Sequence, residues 1–141
     1  MLKIAIVGTG KMGSLIKETA QNQGMEVVHC FEKGIDDHCM DVDVVIDFSH
    51  PNNLASVLNF VKTKKCALIY GTTGLSENQI DSLKQVSDEI PLFYSANFSY
   101  GIAVFEQILK QFAPLLKNDF DMEVQEIHHN QNVSECFRSR R

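Results

Sequence analysis

The stretch that decides the fold lies at the amino end, where residues 4–13 read Ile-Ala-Ile-Val-Gly-Thr-Gly-Lys-Met-Gly. The four apolar residues predict a short strand that is buried on both faces, as the strands of parallel sheets are. The glycines that follow have the pattern G-x-G-x-x-G, which permits a tight turn and a close approach of the backbone to a pyrophosphate. A helix is predicted next, over residues 14–23, so strand, turn and helix stand in the order of a dinucleotide-binding unit.

The alternation of strand and helix continues along the chain. Further strands are predicted over residues 27–31, 42–48, 67–70 and 91–94, and further helices over residues 51–63, 76–87 and 101–116. Strands that alternate with helices are typical of α/β folds with right-handed crossovers. We therefore predict a doubly wound parallel sheet of the Rossmann type, which forms a dinucleotide-binding domain over residues 1–118.

A different pattern begins near residue 119. Residues 120–129 alternate apolar and polar side chains, which predicts a half-exposed strand rather than a buried one. The change predicts a second, mixed or antiparallel sheet. We therefore expect residues 119–141 to be the beginning of an α+β substrate domain, with an atypical tail from about residue 132.

Composition and charge exclude several classes of function. The chain has 141 residues, 44% of them hydrophobic and 22% charged, with a net charge of −5. This negative charge argues against a general affinity for nucleic acid, which depends on basic patches. No apolar run approaches the roughly 20 residues of a membrane span, and no signal peptide is visible, so we expect a cytoplasmic protein. The four cysteines have no paired spacing, and we expect neither a disulfide framework nor a metal site.

Ligands of doubly wound sheets bind beyond the carboxyl ends of the strands. Glu32 follows the second predicted strand, where a carboxylate would accept hydrogen bonds from the adenosine ribose of NAD. Lys33 could instead neutralise the 2′-phosphate of NADP, or both charges could be solvated loop residues. Residues 71–74 (Gly-Thr-Thr-Gly) and 95–99 (Ser-Ala-Asn-Phe-Ser) follow the fourth and fifth strands with small and hydroxylated side chains. Such residues can accept a nicotinamide ring and bond its amide.

The pair His128-His129 is the last notable feature. Successive residues of a strand point to opposite faces, so both rings cannot easily bind one metal ion. One of them could face a cleft and act as a general acid near neutral pH. A surface pair without a chemical role is the alternative.

Taken together, five segments resemble those of the dihydrodipicolinate reductases. They are residues 8–13 (GTGKMG), 47–51 (DFSHP), 71–75 (GTTGL), 96–101 (ANFSYG) and 126–129 (EIHH). The resemblance implies a two-domain, homotetrameric enzyme of lysine and diaminopimelate biosynthesis. Such an enzyme passes hydride from NADH or NADPH to a small cyclic dicarboxylate, 4-hydroxy-tetrahydrodipicolinate, and yields tetrahydrodipicolinate.

The resemblance also assigns roles to individual residues. It makes His128 the proton donor and His129 a substrate-binding residue. It implies that the cofactor is bound by Gly8, Thr9, Gly10, Lys11, Met12, Gly13, Glu32, Lys33, Phe48, Gly71, Thr72, Thr73, Ser95, Ala96, Asn97 and Phe98.

Beyond the two histidines the chain departs from the family pattern, which continues as H-H-x-x-K-x-D-A-P-S-G-T. Asn132 stands in the position of the lysine, and the glycine-threonine pair that would bind a substrate carboxylate is absent. Our hypothesis is that a frameshift or a premature stop replaced the sequence after about Gln131, which resequencing of the coding DNA would test. The departure leaves open the alternative that the chain is a non-catalytic nucleotide-binding module, either a remnant of the enzyme or a regulatory protein. Another small dehydrogenase, such as an aspartate dehydrogenase, is disfavoured by residues 126–129.

Overall fold

Five parallel strands and four helices make up the computed structural model of the chain, which describes residues 1–36 and 41–125. The strands are β1 (Lys3–Val7), β2 (Glu26–Phe31), β3 (Val44–Asp47), β4 (Ala67–Tyr70) and β5 (Leu92–Tyr94). The helices are α1 (Lys11–Asn22), α2 (Leu54–Lys64), α3 (Glu77–Ser87) and α4 (Tyr100–Leu116), and a single turn of 3-10 helix, Pro51–Asn53, precedes α2. The predicted doubly wound fold of the Rossmann type is confirmed.

The strand order places a crevice at the centre of the sheet. The order is β2-β1-β3-β4-β5, so the chain first moves outward from β1 to β2 and then returns to the other side of β1. The direction of winding therefore reverses between β1 and β3. In open α/β sheets, such a reversal sends the two following loops to opposite faces and leaves a ligand-binding crevice between them.

Two hydrophobic cores cover the two faces of the sheet. On one face, Ile4 and Ile6 pack with Ala20 of α1. The larger core, on the other face, joins Ala5 and Val7 to side chains of α2 and α3. Because successive residues of β1 feed opposite cores, the strand has to be apolar throughout, as its sequence predicts.

Most of the predicted elements are confirmed, and two details are corrected. Helix α1 begins at Lys11, three residues before the predicted start, so the glycine turn is shorter than expected. Of the predicted strand at 120–129, residues 120–125 form no strand, and the described residues contain only the one parallel sheet. A strand needs a hydrogen-bonded neighbour, and alternation of side chains alone does not supply one. Residues 126–129 lie outside the described residues.

The chain divides into two units after Ala96, and the predicted domain boundary near residue 119 stays a prediction. In the second unit, the Ser99 hydroxyl caps α4 by accepting a hydrogen bond from the backbone N–H of Ile102 at 3.4 Å. Among residues 1–36 and 41–125, no helix has both the length and the apolar character to cross a bilayer. The same residues contain no cluster of histidine, cysteine and carboxylate side chains that could hold a metal ion.

The amino end of α3 provides a test of this local structure. The Ser76 hydroxyl accepts a hydrogen bond from the N–H of Gln79, whose side chain accepts one from the N–H of Ser76, so the predicted helix start is a capping box. We expect Ser76→Ala to lower the free energy of unfolding by about 1 kcal/mol. Urea denaturation followed by circular dichroism measures this loss.

Ser82→Ala is the matched control on the same helix. The Ser82 hydroxyl only bonds the carbonyl of Asn78 one turn back, at 2.9 Å, so its loss should change stability by less than about 0.5 kcal/mol. Equal effects of the two substitutions would contradict a specific contribution of the cap.

Candidate functional site

The five strands end level with one another. Val7 pairs with both Phe31 and Asp47, and Tyr70 pairs with both Asp47 and Tyr94, so the last residues of all five strands lie in one row across the sheet. The loops that follow the strands therefore start side by side at one edge.

Backbone hydrogen bonds fix the first residue of four of these loops to a neighbouring strand. The N–H of Gly8 donates to Phe31 O at 2.8 Å, and the N–H of Phe48 donates to Val7 O at 3.0 Å. The N–H groups of Gly71 and Ser95 donate to Asp47 O and Tyr70 O at 2.8 and 3.2 Å. Within the first unit, the structure thus brings to one rim the predicted cofactor residues that directly follow these strands, Gly8, Phe48, Gly71 and Ser95.

The glycines of the first loop have different structural requirements. Gly8 has a φ of +101°, and a Cβ there would lie 2.6 Å from the carbonyl oxygen of Phe48. A Cβ at Gly13 would collide with the carbonyl of Gly8, so both of these residues must be glycine for the loop to close. At Gly10 a Cβ would meet no described atom within 4 Å. The fold itself therefore does not explain the glycine at position 10.

The amino end of α1 adjoins this loop and has no side-chain cap among the described residues. Gly10 precedes the helix, and within the described residues no acidic residue lies in the first turn. Backbone N–H groups at such an end carry a partial positive charge and attract anions. The cleft beside them has a volume of about 140 Å³ and is lined by Gly8, Thr9, Gly13, Ser14, Lys17 and Cys30. The last three lie outside the predicted glycine motif. Ser14 follows the motif directly, whereas Lys17 and Cys30 are brought to it by helix α1 and by the pairing of β1 with β2.

Phe48 fills the space between the loops after β1 and β4. Its carbonyl oxygen lies against Gly8, and its ring lies where a Cβ of Gly71 would be. Glycine at both positions lets the phenylalanine approach from either side. Phe48 therefore links the glycine turn to the 71–74 segment in the centre of the row.

Asp47, which precedes Phe48, is fully buried and is the centre of a hydrogen-bonded network with Ser49 and Thr72. Its Oδ1 accepts three hydrogen bonds: from the N–H of Ser49 at 2.8 Å, from the Ser49 hydroxyl at 2.7 Å and from the Thr72 hydroxyl at 2.9 Å. The Ser49 N–H also lies 2.9 Å from the Thr72 oxygen. One carboxylate oxygen therefore joins the loop after β3 to the loop after β4.

Two buried polar atoms near this network have no hydrogen-bond partner among the described residues. Within residues 1–36 and 41–125, neither Oδ2 of Asp47 nor the hydroxyl of Tyr70, its neighbour across the strand pair, makes a hydrogen bond. Burial raises the pKa of Asp47 above its ordinary value of 3.8, against the opposing effect of its hydrogen bonds from Ser49 and Thr72. Burial also raises the pKa of Tyr70, and the nearby Asp47 carboxylate adds to the effect. Tyr70 therefore stays protonated.

The other predicted site residues differ in exposure. Glu32 and Lys33 are exposed directly after β2, and Thr73 is exposed after β4, whereas Thr72 is only 5% exposed. Asn97 and Phe98 belong to the second unit, where the side chain of Asn97 accepts a hydrogen bond from the N–H of Ser99 at 2.7 Å. His128 and His129 lie outside the described residues.

A second cleft, of about 160 Å³, lies between the 3-10 turn, α2 and α3, and Pro51, Leu58 and Ser82 are among its lining residues. The lining residues belong to helices, and none of them is a predicted site residue. We assign no role to it.

The raised pKa of Asp47 has a consequence for stability. Because the folded state holds this proton more tightly than the unfolded state, the contribution of Asp47 to stability is fully present below pH 3.8 and is lost as the pH rises through the raised pKa. We expect the free energy of unfolding of the wild type, minus that of Asp47→Asn, to fall over this range. Urea denaturation of both proteins at a series of pH values measures the difference. A difference that grows with pH would contradict this prediction.

Comparison with known proteins agrees with this geometry. The family described as "Dihydrodipicolinate reductase, N-terminus" matches residues 2–98. A 4-hydroxy-tetrahydrodipicolinate reductase from an Exiguobacterium strain is 38% identical over 139 residues, and one from Alkaliphilus oremlandii is 41% identical over 124 residues. These alignments cover 94% and 86% of this chain but only 55% and 52% of the relatives, so the chain spans about half the length of the curated proteins it matches.

Among solved structures, a conserved hypothetical protein from Pyrococcus furiosus has a similar fold, with a TM-score of 0.51 and 21% sequence identity. The match covers 67% of this chain and 96% of the other. At this identity the likeness concerns the fold alone. The family match over residues 2–98 is stronger evidence than this structural likeness, and it confirms the resemblance seen in the sequence motifs. The chain belongs to the dihydrodipicolinate reductase family.

Proposed function

We propose that the row of loops at the strand ends binds NADH or NADPH, and that the chain serves as the cofactor-binding part of a 4-hydroxy-tetrahydrodipicolinate reductase. One observation carries the proposal: the level strand ends place the glycine turn, Phe48 and the 71–73 segment at one edge, beside the reversal in strand order. This is the edge at which open α/β sheets bind dinucleotides.

The glycine turn fits the pyrophosphate of the cofactor. The uncapped amino end of α1 supplies backbone N–H donors, and the space over Gly10 lets a phosphate approach the backbone. Lys17 adds a positive charge at the cleft beside the turn. Gly8, Thr9, Gly10, Lys11, Met12 and Gly13 form this part of the proposed site.

The two ends of the dinucleotide use the neighbouring loops. Glu32 accepts hydrogen bonds from the adenosine ribose, and the adjacent Lys33 offers a charge for a 2′-phosphate. The nicotinamide lies toward Phe48 and the loops that follow β4 and β5. The family resemblance assigns to this end Gly71, Thr72, Thr73, Ser95, Ala96, Asn97 and Phe98.

When bound, the cofactor would supply a hydride to the unsaturated ring that forms when the 4-hydroxyl group of the substrate leaves as water. The chain's own contribution is to hold the substrate and supply a proton: His129 binds the dicarboxylate and His128 donates the proton to the carbon next to the one that receives the hydride. These two roles, and association into a homotetramer, rest on the family resemblance.

The first test concerns binding. We expect calorimetry to detect binding of at least one of the two reduced cofactors, and Gly10→Asp to weaken it by at least about a hundredfold, because the new carboxylate would face the negative pyrophosphate. The fold should survive, since the space at position 10 is open. Asn59→Asp, which adds the same charge on the exposed surface of α2, is the control and should bind as the wild type does.

Two results would overturn the binding proposal. One is a folded wild-type protein that binds neither cofactor at millimolar concentration. The other is a Gly10→Asp variant that keeps the wild-type affinity, because no phosphate would then lie over the glycine turn.

The second test concerns catalysis. We expect the protein to oxidise NADH or NADPH only very slowly in the presence of 4-hydroxy-tetrahydrodipicolinate, because Asn132 replaces the family's lysine and the glycine-threonine pair that would hold the substrate is absent. His128→Gln should abolish the residual turnover and leave cofactor affinity unchanged. The decrease in absorbance of the reduced nicotinamide measures turnover. Turnover at full speed would contradict this expectation, and cofactor binding with no turnover above that of His128→Gln would favour a non-catalytic nucleotide-binding module.

A further inference from the structure

We propose that Asp47 and Thr72 are positioning residues of the nicotinamide half of the site. They hold the loops that follow β3 and β4 in place and do not touch the cofactor themselves. The inference rests on the proposed function, since it concerns the same loops. The family resemblance assigns both adjacent threonines to the cofactor. The inference gives them different roles: the Thr72 hydroxyl holds the loops together, and Thr73 faces the ligand.

Thr72 is oriented toward the interior of the protein. Its side chain lies inside the protein, with 5% exposure, and its hydroxyl donates to Asp47 Oδ1 at 2.9 Å. The same oxygen lies 2.9 Å from the N–H of Ser49. The hydroxyl has thus used its single donor and one of its two lone pairs within the protein, and its burial leaves the last lone pair little access to a nicotinamide amide. Thr73, the next residue, is exposed.

Asp47 is buried as well. A buried carboxylate is costly unless it is hydrogen-bonded, and here one oxygen takes three hydrogen bonds while the other takes none from the described residues. All three donors come from the loops that follow β3 and β4. The carboxylate therefore joins those two loops. If its hydrogen bonds served only to shield its charge, we would expect donors at both oxygens.

Phe48 lies between the two anchored residues Asp47 and Ser49, so the network fixes the backbone on both sides of it. Its ring in turn packs against Gly71. Loss of the Thr72 hydroxyl would free the 71–73 segment from the segment that carries Phe48.

The glycine turn is held in another way. The N–H of Gly8 donates to Phe31 O at 2.8 Å, on the side of the sheet away from Thr72. Loss of the Thr72 hydroxyl should therefore affect the nicotinamide end and leave the pyrophosphate end in place. ADP-ribose, which contains the pyrophosphate and both riboses but no nicotinamide, separates the two ends.

The test compares Thr72→Val, Thr72→Ser and Thr63→Val by calorimetry with NADH and with ADP-ribose. Thr72→Val keeps the shape and removes the hydroxyl, Thr72→Ser keeps the hydroxyl, and Thr63→Val makes the same change on the surface of α2, where the hydroxyl bonds only Asn59 O. We expect Thr72→Val to weaken NADH about tenfold and ADP-ribose less than about twofold. Thr72→Ser should restore NADH affinity to within about threefold of the wild type, and Thr63→Val should change neither ligand.

The possible failures are distinguishable. If the wild type binds neither ligand, the proposed function fails. If the wild type binds both and Thr72→Val does too, with unchanged affinity, the positioning role is wrong. If Thr72→Val loses both ligands to the same extent, the hydroxyl has a general structural role and the positioning proposal is again rejected. Failure of Thr72→Ser to restore NADH affinity would have the same meaning.

Discussion

The level pairing of the parallel strands is the constraint on which the rest of the structure depends. Hydrogen bonds between β1, β2, β3, β4 and β5 bring the last residues of all five strands into one row. Each following loop then starts at the same edge, although the residues concerned are spread from position 8 to position 95. A one-residue slip of a strand would move its loop by about 3.3 Å and exchange the sides of its side chains. The two separate cores oppose such a slip, because each accepts only alternate residues of β1.

The loops at this edge are fitted to one another as well as to a ligand. Gly8 and Gly71 make room for Phe48, and Gly13 makes room for Gly8, so these glycines are explained by contacts inside the protein. Gly10 alone in this turn has open space above it. In the G-x-G-x-x-G motif, Gly8 and Gly13 are therefore required to build the turn, whereas Gly10 faces outward. This distinction also explains why substitutions within one short motif have different expected effects on folding and on binding.

Local sequence signals predicted the framework because they act over a few residues. Four apolar residues predicted β4 with its observed bounds, and the helix predicted over residues 76–87 is α3 with its cap residue Ser76. The early start of α1 was not predictable from propensity, since Gly13 is a poor helix former and its place in the helix is set by the close approach to Gly8. Of the strand expected at residues 120–129, residues 120–125 form no strand, because alternation cannot specify a partner. The Asp47 network was missed for a similar reason: Thr72 is 25 residues away in sequence and reaches Asp47 only when β3 and β4 pair. A lone carboxylate at the end of an apolar run was the available signal.

The central claim is that the dinucleotide lies along the row of strand ends. Titration of the isotopically labelled protein with NADH, followed by the chemical shifts of the backbone amides, tests it most directly. We predict shifts at residues 8–13, 32–33, 48 and 71–73, and none in the cleft between α2 and α3 around Leu58 and Ser82. Shifts centred on that cleft, with the glycine turn unaffected, would contradict the account.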